Sequence, residues 1–150
     1  MTSIQEIRLT CPEGRIDRKI RSRTSAQLPE ADHQLLRRHL SLCERMTHST
    51  SILLAHVLHH KIMTTVPVTN AFLGDVVTGG CRVIYSVNHE AFLTGLLVHR
   101  ARSGGGGGVI PVASLLGATL IGMRVGQRAP LLGENGSIGT VKVLGVVPPV

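Results

Sequence analysis

An α+β domain preceded by a pair of short helices is the fold class this chain of 150 residues predicts, on three observations. Apolar residues recur at helical spacing over residues 30–63, the period changes to two beyond Pro67, and one short capped helix stands between extended segments within residues 110–127. A chain of this length buries one core and carries an appendage.

The elements follow in order. Residues 1–29 mix charge, Thr and Ser with isolated apolar positions, which reads as a basic mobile tail with one brief strand over residues 4–9. From Glu30, residues Leu35, Leu36, Leu40 and Cys43 form an apolar stripe, with Arg37, Arg38 and Glu44 on other faces. After the polar segment 47–51 (THSTS), residues Leu53, Leu54, Val57, Leu58 and Ile62 resume that period. The short connection predicts an antiparallel hairpin over 30–66, because helices this short need a partner to offset their nucleation cost.

Pro67 ends the helical region, and residues 67–150 form the α+β domain. Val83, Tyr85 and Val87 alternate with Arg82, Ile84 and Ser86 as a half-buried strand, and Asn88, His89 and Glu90 make a turn. Residues 92–98 are apolar on both sides, as in a central strand. The glycine run at 104–108 is a loop: neither the GK[ST] of a phosphate cradle nor a helix follows it, and Pro111 keeps the next segment extended. Ser114 is a helix cap, Leu115, Leu116, Thr119 and Leu120 form the buried stripe of a two-turn helix, and Gly122 supplies its left-handed exit. Residues 131–147 read as a hairpin turning at Asn135 and Gly136, with Pro130 confining its strand to an edge or a bulge.

Composition narrows the function. The net charge of +7 is spread along the chain and favours a polyanionic partner, a nucleic acid or an acidic protein surface. Phe72, Tyr85 and Phe92 are the three aromatic residues, too few for a base-stacking platform. Cys11, Cys43 and Cys81 lie far apart with no CxxC spacing, so neither a disulfide framework nor a zinc knuckle is encoded, which suits a reducing cytoplasm. No run of 18 apolar residues exists to span a bilayer. His56, His59 and His60 share a helical face, but no HExxH glutamate or acidic third ligand accompanies them, so a solvated face is expected and no metal. The nine carboxylates offer no pairing for acid/base work, and Cys81 and Ser114 have no base in evident register. The expectation is a protein that is not an enzyme, with no cofactor, no small-molecule substrate and no membrane.

Three blocks carry a resemblance: residues 75–85 (DVVTGGCRVIY), residues 96–98, and residues 110–127 (IPVASLLGATLIGMRVGQ). With the final strand at 141–147 they span about residues 70–148 and resemble the C-terminal domain of the GreA/GreB transcript-cleavage factor family. The shortened members called regulators of nucleoside diphosphate kinase (Rnk-type) are the most similar. The resemblance implies an FKBP-like twisted antiparallel sheet against one short helix, beside a helical hairpin or short coiled coil. It also implies core RNA polymerase as partner, docked near the entrance of the secondary channel, with Ala113, Ser114 and Leu115 inheriting the contact. An acidic residue common in the long members is Ala113 here, and the proline after it is Leu115; His99 and Arg100 stand where the family has tyrosine and proline.

The long members hold paired acidic residues at the tip of their coiled coil, where they help bind magnesium for transcript cleavage. Here the tip is His48, Ser49 and Thr50, and hard cations need charged oxygen ligands. Each helix, at 1.5 Å per residue, reaches only about 22 Å. The expected function is therefore a polymerase-binding transcription elongation regulator without cleavage activity. The alternative is a basic module that contacts nucleic acid through residues 1–29. A prolyl isomerase, suggested by the fold analogy, is disfavoured because such enzymes line their pocket with aromatics.

Overall fold

A computed structural model describes residues 26–69, 73–100 and 108–149. The strand expected at 4–9, most of the basic tail and most of the glycine run lie outside them.

The chain enters through a strand, β1 (Ala26–Pro29), that the charge pattern had left in the tail. Its Leu28 is fully buried, so Ala26–Pro29 belongs to the packed structure. This strand pairs in parallel with β2 (Thr65–Val68), with Ala26 opposite Thr65 and Pro29 opposite Val68. Parallel neighbours need a crossover connection, and here the crossover is the helical hairpin itself.

Helix α1 (Glu30–Glu44) starts directly at Pro29, with Glu30 and Asp32 in the first turn where acids complement the helix dipole. Leu36 and Cys43 of its predicted stripe are buried, and Leu40 packs against the core. Helix α2 (Ser49–Thr64) buries Leu54, Leu58 and Ile62 at i, i+4 and i+8. The connection is shorter than the predicted 47–51: Ser49, Thr50 and Ser51 are already helical and His48 occupies the N-cap. At the other end of the hairpin, His33 Nε2–H donates to the Ile62 carbonyl at 3.3 Å, one of the orphan carbonyls of α2.

Among the described residues, five strands make the second sheet, in the order β5-β4-β3-β7-β6. Strands β3 (Arg82–Val87) and β4 (Leu93–Val98) form a hairpin that turns through Asn88 and His89, both at positive φ. Asn and His tolerate that region better than β-branched residues. Strand β7 (Ile138–Val147) pairs antiparallel with β3 through a bulge at Ile84/Tyr85, and β6 (Arg128–Leu132) closes the edge. Pro130 thus sits on an edge strand, where its missing N–H leaves no central ladder unpaired. In the β6–β7 turn Gly136 takes the positive φ, while Asn135 accepts the Ser137 N–H through Oδ1 at 3.0 Å.

The sheet departs from the antiparallel expectation in one place. Strand β5 (Val109–Pro111) runs parallel to β4, with Leu96 opposite Val109, so the sheet is mixed. The return connection that a parallel pair requires is the segment carrying the glycine run. Phe92 is also not part of a central strand: it precedes β4 and is exposed.

Helix α3 (Leu115–Leu120) follows β5, and Gly122 leaves it at φ +85° as the sequence predicts. Leu120, Ile121 and Met123 are buried in one cluster with Val83, Leu97 and Val143 of the sheet and Leu28, Leu36 and Leu58 of the hairpin layer. Sheet, short helix and hairpin therefore share a single core.

Candidate functional site

The turn from β5 into α3 is built by Ser114. Its Oγ donates to the Pro111 carbonyl at 2.7 Å and accepts the Gly117 N–H at 3.1 Å, so the hydroxyl both closes the turn and caps the helix. Gly117 is required there: a Cβ would overlap the Pro111 carbonyl oxygen, because the first turn of α3 lies against the backbone of β5.

This geometry separates the three residues predicted to contact a partner. Leu115 is buried in the core, Ser114 is half-buried with its hydroxyl committed to the cap, and Ala113 alone is exposed. Beside the turn lies an open groove of about 400 Å³, between the start of α3, the turn at Asn88 and the β6–β7 turn at Glu134 and Ser137. The surface exposed at this turn is therefore Ala113 and the rim of that groove.

A second group of side chains joins the hairpin to the α+β domain. His99, immediately after β4, lies 2.6 Å through Nε2 from Oδ1 of Asp32 in the first turn of α1. The Gly79 N–H donates to the other carboxylate oxygen at 3.3 Å. Since a carboxylate only accepts, His99 carries a proton on Nε2. Its Nδ1 lies in hydrogen-bond contact with His39 Nε2 at 3.2 Å, with the two ring planes only 12° apart. Burial, then the neighbouring His99 and then Arg38 hold the His39 imidazole below its ordinary pKa. A side chain at Gly79 would collide with Asp32 Oδ1 and the His99 ring, so the glycine makes room for the pair.

The sequence reading missed this relay, although it held two signals for it. Asp32 and His39 are seven residues apart and share a helix face, and His99 replaces the tyrosine of the resembled pattern.

Lys61 forms a third link. Its Nζ donates to the Thr119 carbonyl at 2.9 Å, near the C-terminal end of α3 where carbonyls lack helical partners. Burial lowers its pKa to about 8. His56 and His60 lie on the same side of α2 as Lys61, and both are exposed, as is His59. Among the described residues no three His, Cys, Asp or Glu side chains are grouped to hold a metal ion. No described helix is long and apolar enough to cross a membrane.

At the free end of the hairpin, His48 and Ser49 are exposed and Thr50 is half-buried. Met46 and Ile52 project into solvent beside them.

The whole arrangement, hairpin and α+β domain together, has a counterpart among solved structures. The prokaryotic transcription elongation factor GreA/GreB from Nitrosomonas europaea matches with a TM-score of 0.57 at 17% identity, over 82% of this chain and 99% of that one. This chain has the GreA/GreB fold. Gfh1 of Thermus aquaticus is 19% identical over 83% of this chain and 99% of its own, at a TM-score of 0.42. The GreA factor homolog 1 protein of Thermus thermophilus is 16% identical over the same shares, at 0.41. No protein-family model and no curated protein matches the chain. In this chain the Asp32–His99–His39 relay and Lys61 tie the hairpin to the α+β domain.

Proposed function

We propose that this protein is a non-enzymatic transcription regulator that binds core RNA polymerase near its secondary channel and does not stimulate transcript cleavage. The observation that carries the reading is a hairpin and α+β domain in the GreA/GreB arrangement, ending in a tip without paired carboxylates. A protein with this fold that keeps the dock and lacks the metal-binding tip occupies polymerase without supplying the second magnesium ligand set. Such a role places it in the cytoplasm with the transcription machinery.

Docking uses the exposed side of the β5–α3 turn at Ala113 and the adjacent groove. At the tip, His48, Ser49 and Thr50 present imidazole and hydroxyl groups, and these are poor substitutes for carboxylates around a hard cation. In sequence the acid nearest the tip is Glu44, a single carboxylate at the end of α1.

Two measurements test the reading. Core polymerase immobilised at low salt retains the full-length protein, and failure to bind there overturns the docking. On a backtracked elongation complex with magnesium, adding the protein leaves the cleavage rate at its intrinsic level. Cleavage that depends on the protein overturns the second half.

A further inference from the structure

A groove of about 760 Å³ lies between α2 and the layer formed by α3 and β6. Its size falls within the range of small-molecule sites. Lys61, His56, His60 and Thr65 provide polar groups along one wall, and Met123 and Leu132 provide apolar surface. Among the described residues no Asp or Glu lines it. A half-enclosed space with an apolar floor and a wall of basic and neutral polar groups has the chemistry of an anion site.

Lys61 is the decisive group. The ammonium carries three donors, and the Thr119 carbonyl takes one. Among the described residues no carboxylate lies within ion-pairing distance of it. An ammonium shielded from water, with no carboxylate partner among the described residues, is costly, and that shielding lowers its pKa to about 8. Holding one helix-end carbonyl would not by itself require a charge there; a neutral donor does the same.

We propose that this groove binds a small organic anion, an apolar body bearing one phosphate or carboxylate, with Lys61 as its counter-ion. The ligand would touch α2 on one side and the α3–β6 layer on the other, and so clamp the hairpin to the α+β domain. This site is separate from the β5–α3 turn and needs no polymerase.

The test uses the full chain with three probes of similar size: phenyl phosphate, benzoate and neutral benzyl alcohol, titrated calorimetrically. Wild-type protein binds at least one anion about tenfold or more tightly than the alcohol, and the tighter of the two identifies the head group. Lys61→Met loses about tenfold or more of that affinity. Equal affinity for anions and alcohol, or an unchanged affinity in Lys61→Met, overturns the proposal. A measurement on the wild type alone guards against a variant that misfolds. Reductive methylation with formaldehyde and cyanoborohydride is followed at Lys61 and, as internal reference, at Lys142, with and without the anion. The anion slows methylation at Lys61 about threefold or more relative to Lys142. Equal slowing at both sites overturns the assignment.

Discussion

Asp32 and His99, 67 residues apart in sequence, meet at 2.6 Å and tie the first turn of the hairpin to the end of a sheet strand. Both side chains are largely shielded, at 11% and 14% exposure, so the contact is screened less than a surface ion pair. Gly79 completes the carboxylate's environment from the backbone. Removing one partner leaves the other desolvated without its bond.

Asp32→Asn and His99→Gln are each expected to destabilise the protein by about 1–3 kcal/mol, read from urea midpoints at constant slope. The double variant should lose less than the sum, with a coupling of about 0.5 kcal/mol or more. Strict additivity would show that the two side chains do not act as a pair.

The relay also sets an acid limit. His39 titrates below its ordinary value of 6.5 in the folded protein, so the unfolded chain takes up its proton first. Its contribution is complete above that value and is lost as pH falls through the lowered folded value. Wild-type stability should therefore fall more between about pH 7.5 and 5.5 than that of His39→Phe. Parallel pH profiles for the two proteins would refute the assignment.

Lys61 predicts a slope of the same sign in alkali. Its folded pKa of about 8 lies below the ordinary 10.5, so the unfolded chain binds more protons across that window and stability rises with pH. The full effect is up to about 3 kcal/mol, gained between those two values. Subtracting the profile of Lys61→Met from that of the wild type isolates it, and a flat difference would show that the ammonium is not buried.

Much of this was legible in local pattern. The stripes of α1 and α2, the cap at Ser114, the left-handed Gly122 and the edge position of Pro130 all follow from short-range chemistry, and each is where that chemistry puts it. What escaped is non-local. Strand β1 is four residues long and becomes a strand only by pairing with β2 across both helices, so no periodicity within it announces the pairing. The parallel register of β5 depends in the same way on how the chain returns after β4. The Asp32–His99–His39 relay joins groups from two elements that local reading treats separately. Of the candidate contact residues, Ser114 is also readable as a cap, and its hydroxyl geometry is that of a cap.

Gly117 offers a sharp test of the α3 packing. A methyl group there meets the Pro111 carbonyl, which is backbone and cannot swing aside. Gly117→Ala should cost about 3 kcal/mol or more, in spite of alanine's better helix propensity. An unchanged melting temperature would mean that α3 does not lie against β5 as described.

The β5–α3 turn allows docking and stability to be separated. Ser114→Ala removes the acceptor for the Gly117 N–H and the donor to Pro111, at an expected cost of about 1 kcal/mol typical of a lost N-cap. Ala113 makes no such bond and is exposed, so Ala113→Arg should change the melting temperature little. If the turn is the dock, a bulky cation at Ala113 weakens retention on core polymerase about tenfold or more, whereas Ser114→Ala weakens it only as far as it unfolds the protein. A Ser114→Arg variant cannot make this distinction, because it abolishes the cap and crowds the surface together. Full retention of Ala113→Arg on polymerase would move the contact surface away from this turn.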